Sequence, residues 1–195
     1  MVIDDLPDFV RKHYEVHEWK HACAILERDF TQEWNDIVTV LTGFRLSRSQ
    51  ILAPGKNKSL ISRALDTAFY DRGWQEKSWD TKIVVDDKRF QSPTHNVDCF
   101  KNGVALEIEW SNMDPFFDRD LNNFRLLFDL RAISVGVILT KSDEYKPVFK
   151  DLDVYGKYGA STTWMSKLLP RIEGDGGGGC PILVFGITKA LYVED

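Results

Sequence analysis

Residues 96–110, NVDCFKNGVALEIEW, are the part of the chain that most restricts its fold. Asn102-Gly103 is a preferred dipeptide for two-residue type I′ hairpin turns, because both turn positions need a positive φ. The flanking residues are rich in Val, Ile, Phe and Trp, which favour β-strands. The segment therefore predicts a β-hairpin in which Cys99 lies opposite Leu106 and Asp98 lies opposite Glu107.

The predicted register places three carboxylates close together. Side chains on a strand alternate between faces, so Asp98, Glu107 and Glu109 are expected on one face of the hairpin. Two like charges at ~4 Å repel by on the order of 1 kcal/mol in water and ~4 kcal/mol at an effective dielectric constant of about 20. A cation or a raised pKa must offset that repulsion, unless the hairpin face is simply acidic and solvated. Clustered carboxylate oxygens that leave room for water suit Mg²⁺.

The remaining sequence predicts an α/β protein with a central mixed β-sheet flanked by helices, because helical and strand patterns mix along the chain. Thr31, Ser59 and Asp114 are the expected helix caps. A chain of 195 residues without a repeat or linker suggests a single domain over residues 1–195. The predicted helices are 31–42, 59–72, 115–131 and 162–172, and the predicted strands outside the hairpin are 81–85, 133–140 and 181–188.

Composition excludes several classes of protein. No stretch reaches the roughly 18 apolar residues of a membrane helix, and the acidic start does not resemble a signal peptide. Three scattered cysteines argue against a disulfide scaffold and for a cytoplasmic location. The net charge is −5, yet residues 42–63 carry five basic side chains and no acidic one. Such a segment can contact phosphate or form a solvated basic loop.

An Asp at a strand end followed by Glu-x-Glu or Glu-x-Lys on the next strand is the signature of the PD-(D/E)xK nuclease superfamily. The chain resembles type II restriction endonucleases of the BglII/BstYI type within it. Glu109 stands where BglII and BstYI carry Gln, and this ExE pattern resembles that of BamHI. The matching segments are ALDTAFYDRGW (64–74), NVDCFKNGVALEIEWSNMDPF (96–116), SVGVILT (134–140), YGASTTW (158–164) and PILVFGI (181–187).

The resemblance implies Mg²⁺-dependent hydrolysis of DNA at a short palindromic site, with a GATC core and 5′ overhangs as in the relatives. It implies that Asp98, Glu107 and the Ile108 carbonyl hold the metal ion, while Glu109 orients or deprotonates the attacking water. A further accessory residue is expected shortly after Trp74, at Glu76 or Lys77.

The resemblance also implies double-stranded DNA as the partner of a two-fold symmetric homodimer. Base contacts are expected from Ser111 and Asn112, and phosphate contacts from the basic loop. The helix over residues 115–131 is the candidate dimer interface. The remaining expected DNA contacts are Lys56, Asn57 and Lys58 in the basic loop, and Ala160, Ser161, Thr162 and Thr163 in a second base-reading segment.

Two other functions remain open. An inactive relative could keep the fold for sequence-specific DNA binding alone. His17, Glu18 and His21 match H-E-x-x-H, which on a helix would place two His ligands of a zinc hydrolase on one face. Gly174, Gly176 and Gly179 match G-x-G-x-x-G, but a helix is expected before them and a strand after them, the reverse of a dinucleotide site. His95 is either a DNA contact or an ordinary loop histidine.

Overall fold

The computed structural model describes residues 6–54, 58–93 and 95–195. Its helices are α1 Asp8–His13, α2 Ala22–Asp29, α3 Thr31–Gly43, α4 Arg48–Leu52, α5 Leu60–Tyr70, α6 Phe116–Asp129, α7 Tyr145–Asp151 and α8 Met165–Glu173, with a 3₁₀ turn at Lys189–Leu191. Its strands are β1 Tyr14–Trp19, β2 Leu46–Ser47, β3 Gln75–Lys77, β4 Asp80–Val85, β5 Lys88–Pro93, β6 Val97–Lys101, β7 Val104–Glu109, β8 Val135–Lys141, β9 Ile182–Ile187 and β10 Tyr192–Val193.

A six-stranded mixed sheet lies at the centre, with the strand order β1-β9-β8-β7-β6-β3. Strands β7, β8 and β9 run parallel, while β1 and β6 pair antiparallel with their neighbours. Helices cover both faces, so the predicted fold class is confirmed. Two small sheets, β2 with β10 and β4 with β5, lie outside the central one.

The two faces of the sheet carry different cores. Leu106, Ile108 and Trp110 belong to the larger core, which includes apolar residues of α3 and α5. Ala105 and Ile138 belong to the smaller core, under α6 and α8. Burying one Leu or Phe side chain fully contributes roughly 1.5–3 kcal/mol, so both helix layers are firmly attached to the sheet.

Gly136 in β8 allows helix α6 to pack closely against the sheet, on the side of the smaller core. A Cβ atom at Gly136 would lie 2.4 Å from the Phe124 ring, so a larger residue there would push the helix away. This contact keeps α6 next to β7 and its glutamates.

The predicted hairpin is confirmed. Asn102 and Gly103 have φ values of 46° and 92°, as a type I′ turn requires, and Cys99 pairs with Leu106. Strand β7 is buried along its whole length, because β6 and β8 flank it and helices cover both of its faces.

Several local predictions need adjustment. Ser59 does cap α5, accepting a hydrogen bond from the Ser62 amide. The predicted caps at Thr31 and Asp114 are wrong: the Thr31 hydroxyl donates to the Glu27 carbonyl, and the Asp114 carboxylate binds Lys167. The predicted strand 81–85 exists, but within β4 it pairs with β5 rather than with the central sheet.

The zinc-motif alternative is wrong in its geometry. His17 lies in strand β1 and His21 has a φ of 59°, so the two do not share a helical face. The glycine pattern lies between helix α8 and strand β9, as expected from the sequence. A dinucleotide-binding loop follows a strand and precedes a helix, so this order excludes one. No helix in the described ranges is long and apolar enough to cross a membrane.

Candidate active site

The regular ladder between β6 and β7 stops at Cys99 and Leu106, and the next residues are held by side chains instead. The Asp98 amide donates to Oε2 of Glu107 over 3.2 Å, and the Ile108 amide donates to Oδ2 of Asp98 over 3.0 Å. Each carboxylate therefore takes a hydrogen bond from the opposite strand. The exchange keeps Asp98 beside Glu107 and Ile108, the three residues expected to hold a metal ion.

A cavity of about 320 Å³ opens above this exchange. Asp98 and Glu109 both line it, whereas Glu107, which is as deeply buried as Glu109, is not among its lining residues. The three predicted carboxylates thus converge on one place. Other lining residues are Lys58, Ser59, Ser62, His95, Asn96, Ile108, Ser111, Asn112, Phe116 and Arg119.

The site contains a fourth carboxylate that the sequence analysis missed. Asp120 on α6 is fully buried, and its Oδ1 lies 3.1 Å from Nε2 of His95. The same His95 nitrogen lies 3.0 Å from Oε1 of Glu107. The one available signal was an acidic residue in the apolar stripe of the predicted helix, between Phe117 and Leu121.

Charge in this site is unevenly balanced. Burial raises the pKa of Glu107, and the charges of Asp120 and Asp98 raise it further, while His95 opposes the shift. Burial likewise raises the pKa of Glu109, and Asp120 adds to it. Burial lowers the pKa of His95, but hydrogen bonds to Asp120 and Glu107 outweigh it and bring the value to about 9. The two glutamates therefore keep their protons to higher pH than usual, and a nearby cation would favour their ionised form.

Two basic side chains reach into the site. Arg119 lies 2.9 Å from Oδ1 of Asp120 and 3.6 Å from Oε1 of Glu109. Lys58 lies 3.5 Å from Oδ1 of Asp98 and also pairs with Asp66. Without DNA, the Lys58 ammonium pairs with these two carboxylates, and its contact with phosphate stays a prediction.

The other two expected phosphate contacts, Lys56 and Asn57, lie outside the described residues. They stay predictions.

Of the two accessory candidates, Glu76 is the nearer to the site. Its Oε1 accepts a hydrogen bond of 2.7 Å from Nδ2 of Asn96, which lines the cavity. The Lys77 ammonium lies 4.2 Å from the centroid of the Phe100 ring and so packs on an aromatic side chain.

The two segments expected to read bases, residues 111–112 and 160–163, are joined to each other. The Thr163 amide donates to the Asn112 carbonyl over 2.9 Å, and the Asp114 amide donates to the Ser161 carbonyl over 2.9 Å. The Asn112 side chain also donates to both carboxylate oxygens of Glu109, at 3.0 and 2.9 Å. One base-reading candidate thus contacts a proposed catalytic residue directly.

Within the second segment only part of the chain faces outwards. Ala160 and Ser161 are exposed. Thr162 and Thr163 are buried, and their hydroxyls donate to carbonyl groups of Tyr158, Gly159 and Glu109. The predicted base contacts of Thr162 and Thr163 are therefore corrected to an internal structural role.

A buried lysine, also missed from the sequence, connects the same segments. The Lys141 amine, at the end of β8, donates to the carbonyls of Trp110 and Thr163 and lies 4.5 Å from the Trp164 ring centroid. It is fully buried, and burial lowers its pKa well below the usual value. This amine links the residue that precedes segment 111–112 to the end of segment 160–163.

The helix proposed as a dimer interface buries its apolar residues inside the chain. Phe117, Leu121, Phe124 and Leu127 all belong to the smaller core. Its exposed face carries Asp118, Arg119, Asn122, Arg125 and Asp129, so a contact with a second copy there would be polar.

Comparison with known proteins gives one family match. A family model described as restriction endonuclease BglII/BglIII matches residues 14–187. The match begins with the first residue of β1 and ends with the last residue of β9, so it includes the whole central sheet and the cavity. No curated protein matches the chain.

Proposed function

Since the chain belongs to the BglII/BglIII restriction endonuclease family and is thus a DNA-cleaving hydrolase, we propose that it cuts double-stranded DNA at a short palindromic site with Mg²⁺ as cofactor. The observation that carries this proposal is that Asp98 and Glu109 line one cavity, while Glu107 accepts a hydrogen bond from the Asp98 amide beside it. A GATC core with 5′ overhangs is the target that the resemblance suggests. The free, buried cysteines are compatible with action in the cytoplasm.

The residues present fit a divalent cation. The site offers clustered carboxylate oxygens, because the hydrogen bonds of Asp98 and Glu107 to the opposite strands hold the two side chains beside each other. Asp98, Glu107 and the Ile108 carbonyl would hold Mg²⁺. When bound, Mg²⁺ neutralises charge on the phosphate and makes water more acidic.

Each chain residue then has a distinct task. Asp98 and Glu107 are fixed against each other's strands by their amide hydrogen bonds, so their oxygens are preorganised. Glu109 lies at the cavity, held by the Asn112 amide, and would orient the attacking water. Lys58 and Arg119 lie against the carboxylates and would turn to phosphate groups once a cation takes their place.

We propose that Ser111, Asn112, Ala160 and Ser161 carry the base contacts, since these residues line the cavity or are exposed. Small hydroxyl and amide side chains can hydrogen-bond base edges in the major groove. Cutting both strands of a palindrome needs two active sites, so a homodimer is proposed, with the polar face of α6 as its interface.

A plasmid digest tests the proposal. Supercoiled DNA is incubated with the protein in Mg²⁺, in EDTA, and with the Asp98→Ala variant, while Asp151→Ala, at an exposed position on α7 outside the proposed site and interface, is the matched control. Discrete fragments that form in Mg²⁺ with the wild type and with Asp151→Ala, but not with Asp98→Ala or in EDTA, support the proposal. A site-specific gel shift without cutting would instead favour a DNA-binding relative that has lost activity.

A further inference from the structure

Three side chains that could bind a metal ion lie close together, although they belong to different structural elements: His95, Glu107 and Asp120. His95 precedes β6, Glu107 lies on β7 and Asp120 lies on α6. One atom of each lies within 4.8 Å of the others. Three different structural elements thus bring their side chains to a spacing that a single metal ion can bridge.

Hydrogen bonding inside the group leaves it incompletely satisfied. Nε2 of His95 lies 3.0 Å from Glu107 and 3.1 Å from Asp120, but one imidazole nitrogen carries at most one hydrogen. It can donate fully to only one of the two carboxylates.

The second oxygen of Asp120 is a separate observation. Asp120 is 0% exposed, and its Oδ2 has no hydrogen-bond partner among the described residues. The same carboxylate lies close enough to Glu109, a residue that lines the cavity, to raise the pKa of Glu109, so Asp120 borders the site. A buried, unpartnered carboxylate oxygen is costly, and a bound cation would remove that cost.

The donor set indicates which cation. Mg²⁺ prefers an all-oxygen shell, whereas imidazole together with carboxylates suits Mn²⁺, Co²⁺ or Zn²⁺. We propose that His95, Glu107 and Asp120 bind a divalent transition-metal ion at a position next to the proposed Mg²⁺ position, with Glu107 shared between the two. The role of this ion in DNA cleavage rests on the proposed function, but its binding does not.

Mn²⁺ titration of the full-length protein without DNA, followed by electron paramagnetic resonance, tests the position. The wild type is expected to bind two Mn²⁺ ions. Asp120→Asn should weaken one of them by at least about tenfold, whereas Asp98→Asn should weaken the other and Asp151→Asn, at an exposed position on α7, neither. Binding by Asp120→Asn equal to that of the wild type would overturn the proposal.

A second measurement uses the wild-type protein, so its result does not depend on whether a variant folds correctly. The chain has four histidines, so their imidazole ¹⁵N resonances can be followed individually. Zn²⁺ is expected to shift the Nε2 resonance of His95 even in excess Mg²⁺, and an unshifted His95 overturns the proposal. A plasmid digest in Mg²⁺ alone is run in parallel: Asp120-dependent Mn²⁺ binding without any DNA cutting would retain this site and reject the proposed nuclease function.

Discussion

Two buried ionisable centres lie near the same end of the sheet, and they differ in how well their polar atoms are satisfied. The carboxylate centre, Glu107, Glu109 and Asp120, lies on the side covered by α6. The lysine centre, Lys141 with the Trp110 and Thr163 carbonyls, lies on the other side, because Lys141 follows Leu139 of the larger core by two residues.

The difference separates a structural role from a functional one. The Lys141 amine has two carbonyl acceptors and an indole face. In the carboxylate centre one Asp120 oxygen has no hydrogen-bond partner within the described part of the chain, and Glu107 competes with Asp120 for one imidazole hydrogen. Buried polar groups with complete partners hold a fold in one arrangement, while incompletely satisfied ones indicate a place where a ligand binds.

The largest expected effect comes from Glu107→Gln. It keeps the shape of the side chain but removes a charge at the proposed metal position, so the single-turnover rate of DNA cleavage should fall at least about a thousandfold, about 4 kcal/mol. The free energy of unfolding should stay unchanged or rise, because one of several repelling charges is gone. Full cleavage by this variant would show that Glu107 is not needed for DNA cleavage and would contradict a functional role of the carboxylate centre.

The lysine centre should respond in the opposite way. Lys141→Met leaves two buried carbonyls without a donor, so the free energy of unfolding should fall by about 2–5 kcal/mol in urea denaturation. Lys150→Met, at an exposed position on α7, is the control and should change little. A stable Lys141→Met protein with lost cleavage would show that this lysine acts in catalysis instead.

Ser161→Ala tests whether the joined segments read DNA independently of metal binding. Loss of its hydroxyl should weaken discrimination between the preferred site and one-base variants by about 1–3 kcal/mol, measured as relative cleavage rates. Mn²⁺ affinity should match that of the wild type. Thr39→Ala, another exposed hydroxyl on α3, should leave both unchanged. Reduced metal affinity in Ser161→Ala would contradict the separation of reading from cutting.

The pH dependence of stability should also identify the lysine centre. Burial lowers the pKa of Lys141, so between that value and about 10.4 the unfolded chain binds a proton that the folded chain does not. Stability from this group therefore rises with pH, by at most about 1.4 kcal/mol per pH unit. Urea unfolding from about pH 8 to about pH 10 should show a smaller rise in Lys141→Met than in the wild type. Equal slopes would mean that Lys141 has no lowered pKa.

The smallest effect is expected far from both centres. Phe90 on β5 is 53% exposed, so Phe90→Ser should change the free energy of unfolding by within about 0.5 kcal/mol and leave cleavage intact. Reduced cleavage would indicate that the β4–β5 hairpin contacts DNA, while a larger loss of unfolding free energy would indicate that Phe90 packs against protein.

Local chemistry explains what the sequence could predict. The Asn102-Gly103 turn sets the pairing of Cys99 with Leu106, and that pairing puts Asp98 next to Glu107. The buried runs of β8 and β9 and the Ser59 cap are equally local. Each depends on residues within a few positions, so pattern reasoning was sufficient.

Long-range packing explains what it missed. Asp120 joins the site only because α6 lies on β7 and β8, and Lys141 meets Thr163 only because two loops close over the end of β8. The hydroxyls of Thr162 and Thr163 turn inwards to satisfy buried carbonyls, which no residue pattern indicates. The Asp114 cap failed because Lys167, 53 positions away, binds its carboxylate.

Sequencing the DNA ends left after incubation of genomic DNA with the purified protein and Mg²⁺ tests the central claim most directly. If the carboxylate centre is the place where DNA is cut, the ends should fall at one short palindromic sequence, and they should disappear with EDTA or with Glu107→Gln. Ends scattered without a shared sequence, or the same ends formed by Glu107→Gln, would contradict the account.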